Sequence, residues 1–179
     1  MSSAIATSPF SLHTSPTSSP QRIGCCLQSQ CVVFWYPAVM PARFEHSLTV
    51  TEADLDRQGH VNNIVYIRWM QDAAVAHSAA QGWPMQRYAD AGVAWVVRSH
   101  FIEYRVPAFA GDDVTVHTWV ADMQKVSSRR KFEIRRQDGT LLARAETNWA
   151  FVRTSDQRLM RIPDEVASAF IVVAPENGA

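Results

Sequence analysis

The residues best suited to chemistry stand together in Asp54-Leu55-Asp56-Arg57-Gln58-Gly59-His60-Val61-Asn62-Asn63, directly ahead of a long apolar run. A carboxylate such as Asp56 can act as a nucleophile or as a general base. Gly59 permits a positive φ and a close approach of backbone to a ligand. If a helix starts at Asn62 or Asn63, the N–H groups of Val61, Asn62 and Asn63 lack intrahelical acceptors, and the helix dipole favours negative charge beside them. A carboxylate next to donors for a developing oxyanion is a catalytic pairing. Each residue also has a plainer use. Asp56 can cap the turn by an Asx-type hydrogen bond, Gly59 can be a turn glycine, and Asn62 and Asn63 can be helix caps. Asp54 reads as the turn or cap carboxylate. His60 can orient water, protonate a leaving group or simply hold the turn.

Two further groups bear on chemistry. Lys125, Arg129, Arg130, Lys131, Arg135 and Arg136 concentrate cations in one strand and its approach, as partners for a phosphate or as a solvated strand face. His46, His77, His100 and His117 are scattered without metal-ligand spacing, so no metal and no cofactor is expected.

These residues need positioning elements. Phe44, His46, Leu48 and Val50 alternate with polar residues and predict a strand before the polar turn from Thr51 to His60. The run from Asn62 or Asn63 to about Ala80 is too long for one strand and rich in Ala, which predicts a helix. It is apolar almost all round, so burial over most of its circumference is expected. Gly82 and Pro84 end it. Arg68 and Asp72, four apart, are expected to pair. Pro84 to Gly92 connects, with room for a short helical turn. Strands are predicted over Ala94–Val106, Val114–Ala121, Ser127–Arg136 and Thr140–Arg153, with Asp138-Gly139 as a hairpin turn. A short strand over Arg158–Ile162 and a short helix from Pro163 to Phe170 follow.

Helix and sheet are segregated, so the expected class is α+β: one long central helix wrapped by a curved antiparallel sheet of about five strands. Such a sheet leaves open edges, and a homodimer or homotetramer would cover them.

Composition narrows the function classes. The chain of 179 residues is 47% hydrophobic, enough for one domain with a real core. Lys+Arg and Asp+Glu number 17 each, so no global charge favours nucleic acid. No apolar run reaches the roughly 18 residues of a membrane span. The three cysteines, Cys25, Cys26 and Cys31, lie in the first part, which excludes thiol chemistry from the rest. Residues 1–41 hold no acidic residue and one basic one, Arg22, and are rich in Ser, Thr and Pro. They read as a disordered leader or a start placed too early, with Met40 the natural first residue. A domain over 42–172, a tail over 173–179 and a cytoplasmic location are expected.

At this point the residues carry a resemblance. Asp56-x-x-Gly59-x-Val61-x-Asn63-x-x-Tyr66, then Ile102-x-Tyr104-x-x-Pro107-x-x-x-Gly111-Asp112, resembles hotdog-fold acyl-CoA thioesterases of the 4-hydroxybenzoyl-CoA thioesterase and YbgC-like type. The match covers about Phe44 to Pro163. The string from Asp54 to Trp69 is also similar to plant acyl-ACP thioesterases, whose Asp and His match Asp56 and His60, while their intervening Asn is Gln58 here. The resemblance implies hydrolysis of an acyl-CoA substrate. Asp56 would be the catalytic carboxylate, with His60 in support. Gly59 and the backbone of Val61, Asn62 and Asn63 would form the oxyanion site, and Arg129, Arg130 or Lys131 would meet CoA phosphates. Acyl-ACP hydrolysis and non-catalytic acyl binding remain alternatives. A hydratase needs a His and carboxylate in another local string, which is missing.

Overall fold

The computed structural model describes residues 42–174. The expectations for residues 1–41, including Met40 and the cysteines, and for the end of the tail lie outside the described residues. In order the chain forms β1 (Phe44–Thr49), a 3-10 turn (Glu52–Asp54), α1 (Asn63–Ala80), α2 (Met85–Asp90), β2 (Val93–Tyr104), β3 (Asp113–Met123), β4 (Ser127–Arg136), β5 (Leu141–Arg153) and α3 (Asp164–Ala167). The strands make one five-stranded sheet in the order β1-β3-β4-β5-β2, and every pair is antiparallel. The α+β class and the five-strand sheet around one long helix are as expected.

Helix α1 starts where the side chain of Asn62 accepts a hydrogen bond from the Ile64 N–H at 3.0 Å. It stops at Gly82, whose φ of +81° suits a helix end and strains any other side chain. Tyr66, Trp69, Met70, Ala73, Ala74 and His77 are buried, at the spacing that puts them on one helical face. All but His77 pack into a core with Val114, Val116, Phe132, Ile134, Leu142 and Ala143 from the sheet. Burying each large apolar side chain contributes about 1.5–3 kcal/mol. A second core joins Trp83, Tyr88, Val93, Val120, Phe151, Ile162, Val166 and Phe170.

Three expectations are corrected. The sheet covers only one side of α1, so within this chain the helix is not buried most of the way round: Ile64 is 71% and Val75 43% exposed. Arg68 pairs with Asp54 rather than with Asp72, because Asp54 is held in the turn facing the first helical turns. The segment Arg158–Ile162 is no strand; it makes a single bridge, Val152 to Leu159, and then enters the second core.

Candidate functional site

The turn ahead of α1 is a closed loop. Leu55 and Val61 form an antiparallel bridge. Inside it, the Asp56 N–H donates to the His60 carbonyl at 2.9 Å, and the Gly59 N–H donates to the Asp56 carbonyl at 3.1 Å. Gly59 has φ +80°, and a Cβ there would meet nothing within 4 Å. The glycine is therefore required by the backbone turn, not by crowding from this chain.

Asp56 and Asp54 divide the carboxylate work. Asp54 is 6% exposed and accepts from the Thr51 N–H at 2.9 Å, the Thr51 hydroxyl at 2.8 Å and the Arg68 guanidinium. Burial opposes its ionisation, yet the Thr51 hydrogen bonds and Arg68 outweigh burial and hold the carboxyl below the usual carboxylate range. Its carbonyl accepts the Asn62 N–H at 2.9 Å. Asp54 is thus the structural carboxylate expected from the sequence.

Asp56 is only partly buried. Its Oδ1 accepts the Gln58 N–H at 2.7 Å, which is the Asx-type turn, and its Oδ2 lies 3.4 Å from His60 Nδ1. His60 Nε2 lies 3.2 Å from Gln58 Oε1. The ring is therefore held between a carboxylate and an amide, so Gln58 serves as a rest for His60. The cap use and the chemical use of Asp56 are compatible, since one oxygen caps and the other faces the histidine.

The backbone donors are not equivalent. The Val61 N–H donates to the Ala108 carbonyl at 2.9 Å, the Asn62 N–H to Asp54, and the Gly59 N–H to Asp56. As oxyanion donors, Gly59, Val61 and Asn62 are therefore corrected: forming the turn uses their N–H groups. Asn63, the first helical residue and exposed, keeps an N–H with no hydrogen-bond partner among the described residues.

A second loop braces the first. Arg136 reaches from the end of β4 to Asp112 Oδ2 at 3.0 Å and to the Pro107 carbonyl at 2.9 Å. Asp112 also accepts the Phe109 N–H at 2.9 Å. This fixes Ala108, whose carbonyl takes the Val61 N–H. The Tyr104 hydroxyl donates to the Asn63 carbonyl at 3.1 Å. Pro107, Gly111 and Asp112 were legible as a motif, but their bracing of the Asp56 loop, with Arg136 as the clamp, was not. Only the register of β4 reveals it.

The three cations expected to meet phosphate separate. On β4 the alternation turns Arg129 and Lys131 to the outer face, and Arg129 lies 3.9 Å from Glu146. Arg130 turns inward and is 7% exposed, so it cannot present its charge to a phosphate on that outer face. Its Nη1 donates to His77 Nδ1 at 2.7 Å. No group of three or more His, Cys, Asp or Glu side chains is placed to hold a metal among the described residues. No helix among them is long and apolar enough to cross a membrane.

Comparison with known proteins shows the family. The sequence profile described as the thioesterase-like superfamily matches residues 50–170. Oleoyl-acyl carrier protein thioesterase 1, chloroplastic, of Arabidopsis thaliana is 24% identical over 116 residues, 60% of this chain and 32% of that protein. The chain thus spans about a third of the length of that relative. Among solved structures, a 1,4-dihydroxy-2-naphthoyl-CoA thioesterase from Synechocystis superposes with a TM-score of 0.66 at 21% identity, covering 71% of this chain and 94% of that one. A gentisyl-coenzyme A thioesterase superposes with a TM-score of 0.65 at 20% identity, covering 71% and 99%.

Proposed function

The chain belongs to the thioesterase-like superfamily, and from that premise we propose that it hydrolyses an acyl-CoA thioester to the free acid and CoA. The observation that carries the reading is Asp56. Its carboxylate stands just before a helix start, one oxygen fixed by the Gln58 N–H and the other toward His60. The first helical N–H, that of Asn63, has no hydrogen-bond partner among the described residues.

Asp56 either attacks the thioester carbonyl carbon or takes a proton from a water that does so. In both routes the carbonyl oxygen becomes an oxyanion, which the Asn63 N–H and the positive end of α1 stabilise. The C–S bond then breaks and the electron pair leaves on sulfur. In the water route the proton held by Asp56 goes on to the thiolate, with His60 as the neighbouring carrier. In the nucleophilic route water cleaves the resulting anhydride and restores Asp56.

In this reading CoA is the carrier, as the names of two thioesterases that superpose on the chain state for those proteins. Outward-facing Arg129 and Lys131 are the candidate phosphate contacts. A panel of acyl-CoAs and matched acyl carrier proteins, read by free-thiol release, tests this. The expected result is turnover of CoA thioesters; turnover of carrier-protein substrates alone would reverse the choice.

The protein works as a homodimer or homotetramer in this reading. Strand β2 is an open edge, and Phe101 is 72%, Ile64 71% and Phe109 47% exposed. Ile64 adjoins Asn63, so a second subunit on this face would keep water from the oxyanion site. Sedimentation equilibrium that finds a monomer at assay concentration would remove this part of the reading.

A further inference from the structure

A cavity of about 520 Å³ opens between the C-terminal half of α1, the start of β2 and the inner face of the sheet. Its volume lies within the range of small-molecule sites, about 300–1,000 Å³. Its walls are mainly apolar, with Ala74, Val93, Trp95, Val97, Trp149 and Phe170 among them. It does not include Asp56. Gln71, its first residue on α1, lies about 12 Å along the helix axis from Asn63 at ~1.5 Å per residue.

Among the described residues one cation lines this cavity, and it is Arg130. Three of the neighbouring polar groups have protein partners, while the Trp149 indole N–H has none among the described residues. The Ser78 hydroxyl donates to the Trp83 carbonyl at 2.8 Å, the Tyr88 hydroxyl accepts from Trp95 Nε1 at 3.2 Å, and the Ser128 hydroxyl donates to the Asp122 carbonyl at 2.9 Å. Arg130 differs. Among the described residues its hydrogen bonds all come from Nη1, to His77 Nδ1 at 2.7 Å and to the Thr118 hydroxyl at 3.4 Å, and its guanidinium carbon lies 5.8 Å from the centroid of the Phe170 ring. Among the described residues no Asp or Glu pairs with it. The Nε–H and both N–H groups of Nη2 therefore have no protein acceptor there. Those groups form the edge of a guanidinium that takes a carboxylate by two parallel hydrogen bonds.

Burial pushes the guanidinium down to about 10, which still leaves it cationic at neutral pH. A buried cation without a counter-charge costs several kcal/mol. The cost is offset when an anion arrives. The His77 contact fixes orientation, not charge: Nδ1 accepts from Arg130, so the imidazole on this side is the neutral form.

We propose that this cavity binds a ligand with an apolar body and a carboxylate, the carboxylate pairing with the Nε–Nη2 edge of Arg130. Two sources have this chemistry. One is a free carboxylic acid, such as the acid that thioester hydrolysis releases. The other is an acyl group carrying a second carboxylate at its far end. The binding itself does not depend on the thioesterase reading; only the origin of the ligand does.

The test uses the full chain. Trp95 and Trp149 line the cavity, so intrinsic fluorescence follows titration with decanoate and with decan-1-ol. The expected result is that wild type binds decanoate at least about tenfold more tightly than the alcohol, a modest share of what a charged pair can contribute. Arg130→Gln loses that preference, with its melting temperature showing that it is folded. The ligand-side comparison stands on wild type alone if that variant does not fold. A second arm compares KM for decanoyl-CoA and for the ten-carbon thioester with a terminal carboxylate. Decanoate binding that depends on Arg130 assigns the site to free acids. A terminal-carboxylate preference in KM that depends on Arg130 assigns it to the acyl group. Decan-1-ol binding as tightly as decanoate with no preference in KM, or Arg130→Gln keeping either preference, overturns the proposal. Decanoate binding by a protein that turns over no thioester would sink the thioesterase reading and leave this one standing.

Discussion

The two ends of α1 hold charge in opposite ways. At the N-terminal end Asp56 is anionic, partly exposed and fixed by a backbone N–H, with a histidine beside it. Along the C-terminal half Arg130 is cationic, 7% exposed and fixed by a neutral histidine, with its free edge in an apolar cavity. The first arrangement keeps a reactive oxygen within reach of water. The second sets the charge against mainly apolar walls, where each hydrogen bond counts for more in recognition. In the proposed reading, one helix separates a place for chemistry from a place for selection.

The sharpest way to break this contrast is to remove the reactive oxygen. Asp56→Ala is expected to lower kcat/KM by about 10²–10⁴-fold, the range for loss of a positioned acid–base group, while the melting temperature moves little because Asp56 is partly exposed. Unchanged turnover would move the chemistry elsewhere.

Asp54 should show the reverse pattern, with stability lost first. Asp54→Asn removes the buried carboxylate that accepts from the Thr51 N–H and hydroxyl and is expected to cost about 1–3 kcal/mol in urea unfolding. Arg68 is 58% exposed, so its share of that is small. The sign with pH follows from a folded value held below the unfolded one. The stabilisation is present above the unfolded carboxyl value of about 3.9 and is lost as pH falls through the folded value. Wild type is therefore expected to lose more stability than Asp54→Asn between pH 5 and pH 2, as followed by the urea midpoint.

Gly59→Ala sets a side chain at φ +80°. It is expected to cost about 1 kcal/mol, and Gly59→Asn less, because Asn tolerates the left-handed region. Equal costs for the two would mean that ligand crowding, not backbone conformation, fixes the glycine. The smallest expected effect is that of His60→Gln, roughly a tenfold fall in kcat with little change in KM, within the lower reach of proton-transfer effects. A larger fall in kcat than that of Asp56→Ala would exchange their roles.

The same contrast explains what was legible in the sequence. The Asp56 loop is closed by contacts a few residues apart, so its turn chemistry could be read along the chain. The order of elements could be read as well, because α1 and the strands carry clear apolar periods. What could not be read depends on distant strands meeting. Arg130 looks like its neighbours Arg129 and Lys131 until the pleat of β4 turns it inward beside Phe132 and Ile134. Arg136 looks like a surface cation until the sheet brings it to Asp112. The helix misled in one respect, because an all-round apolar pattern does not say which part this chain itself covers, and Ile64 and Val75 stay exposed.

The most direct test of the division along α1 measures both ends in one variant. Asp56→Asn is titrated with decanoate by tryptophan fluorescence and assayed for thiol release from acyl-CoA. The account predicts decanoate binding equal to wild type and thiol release reduced at least about a hundredfold. Thiol release at the wild-type rate would contradict it.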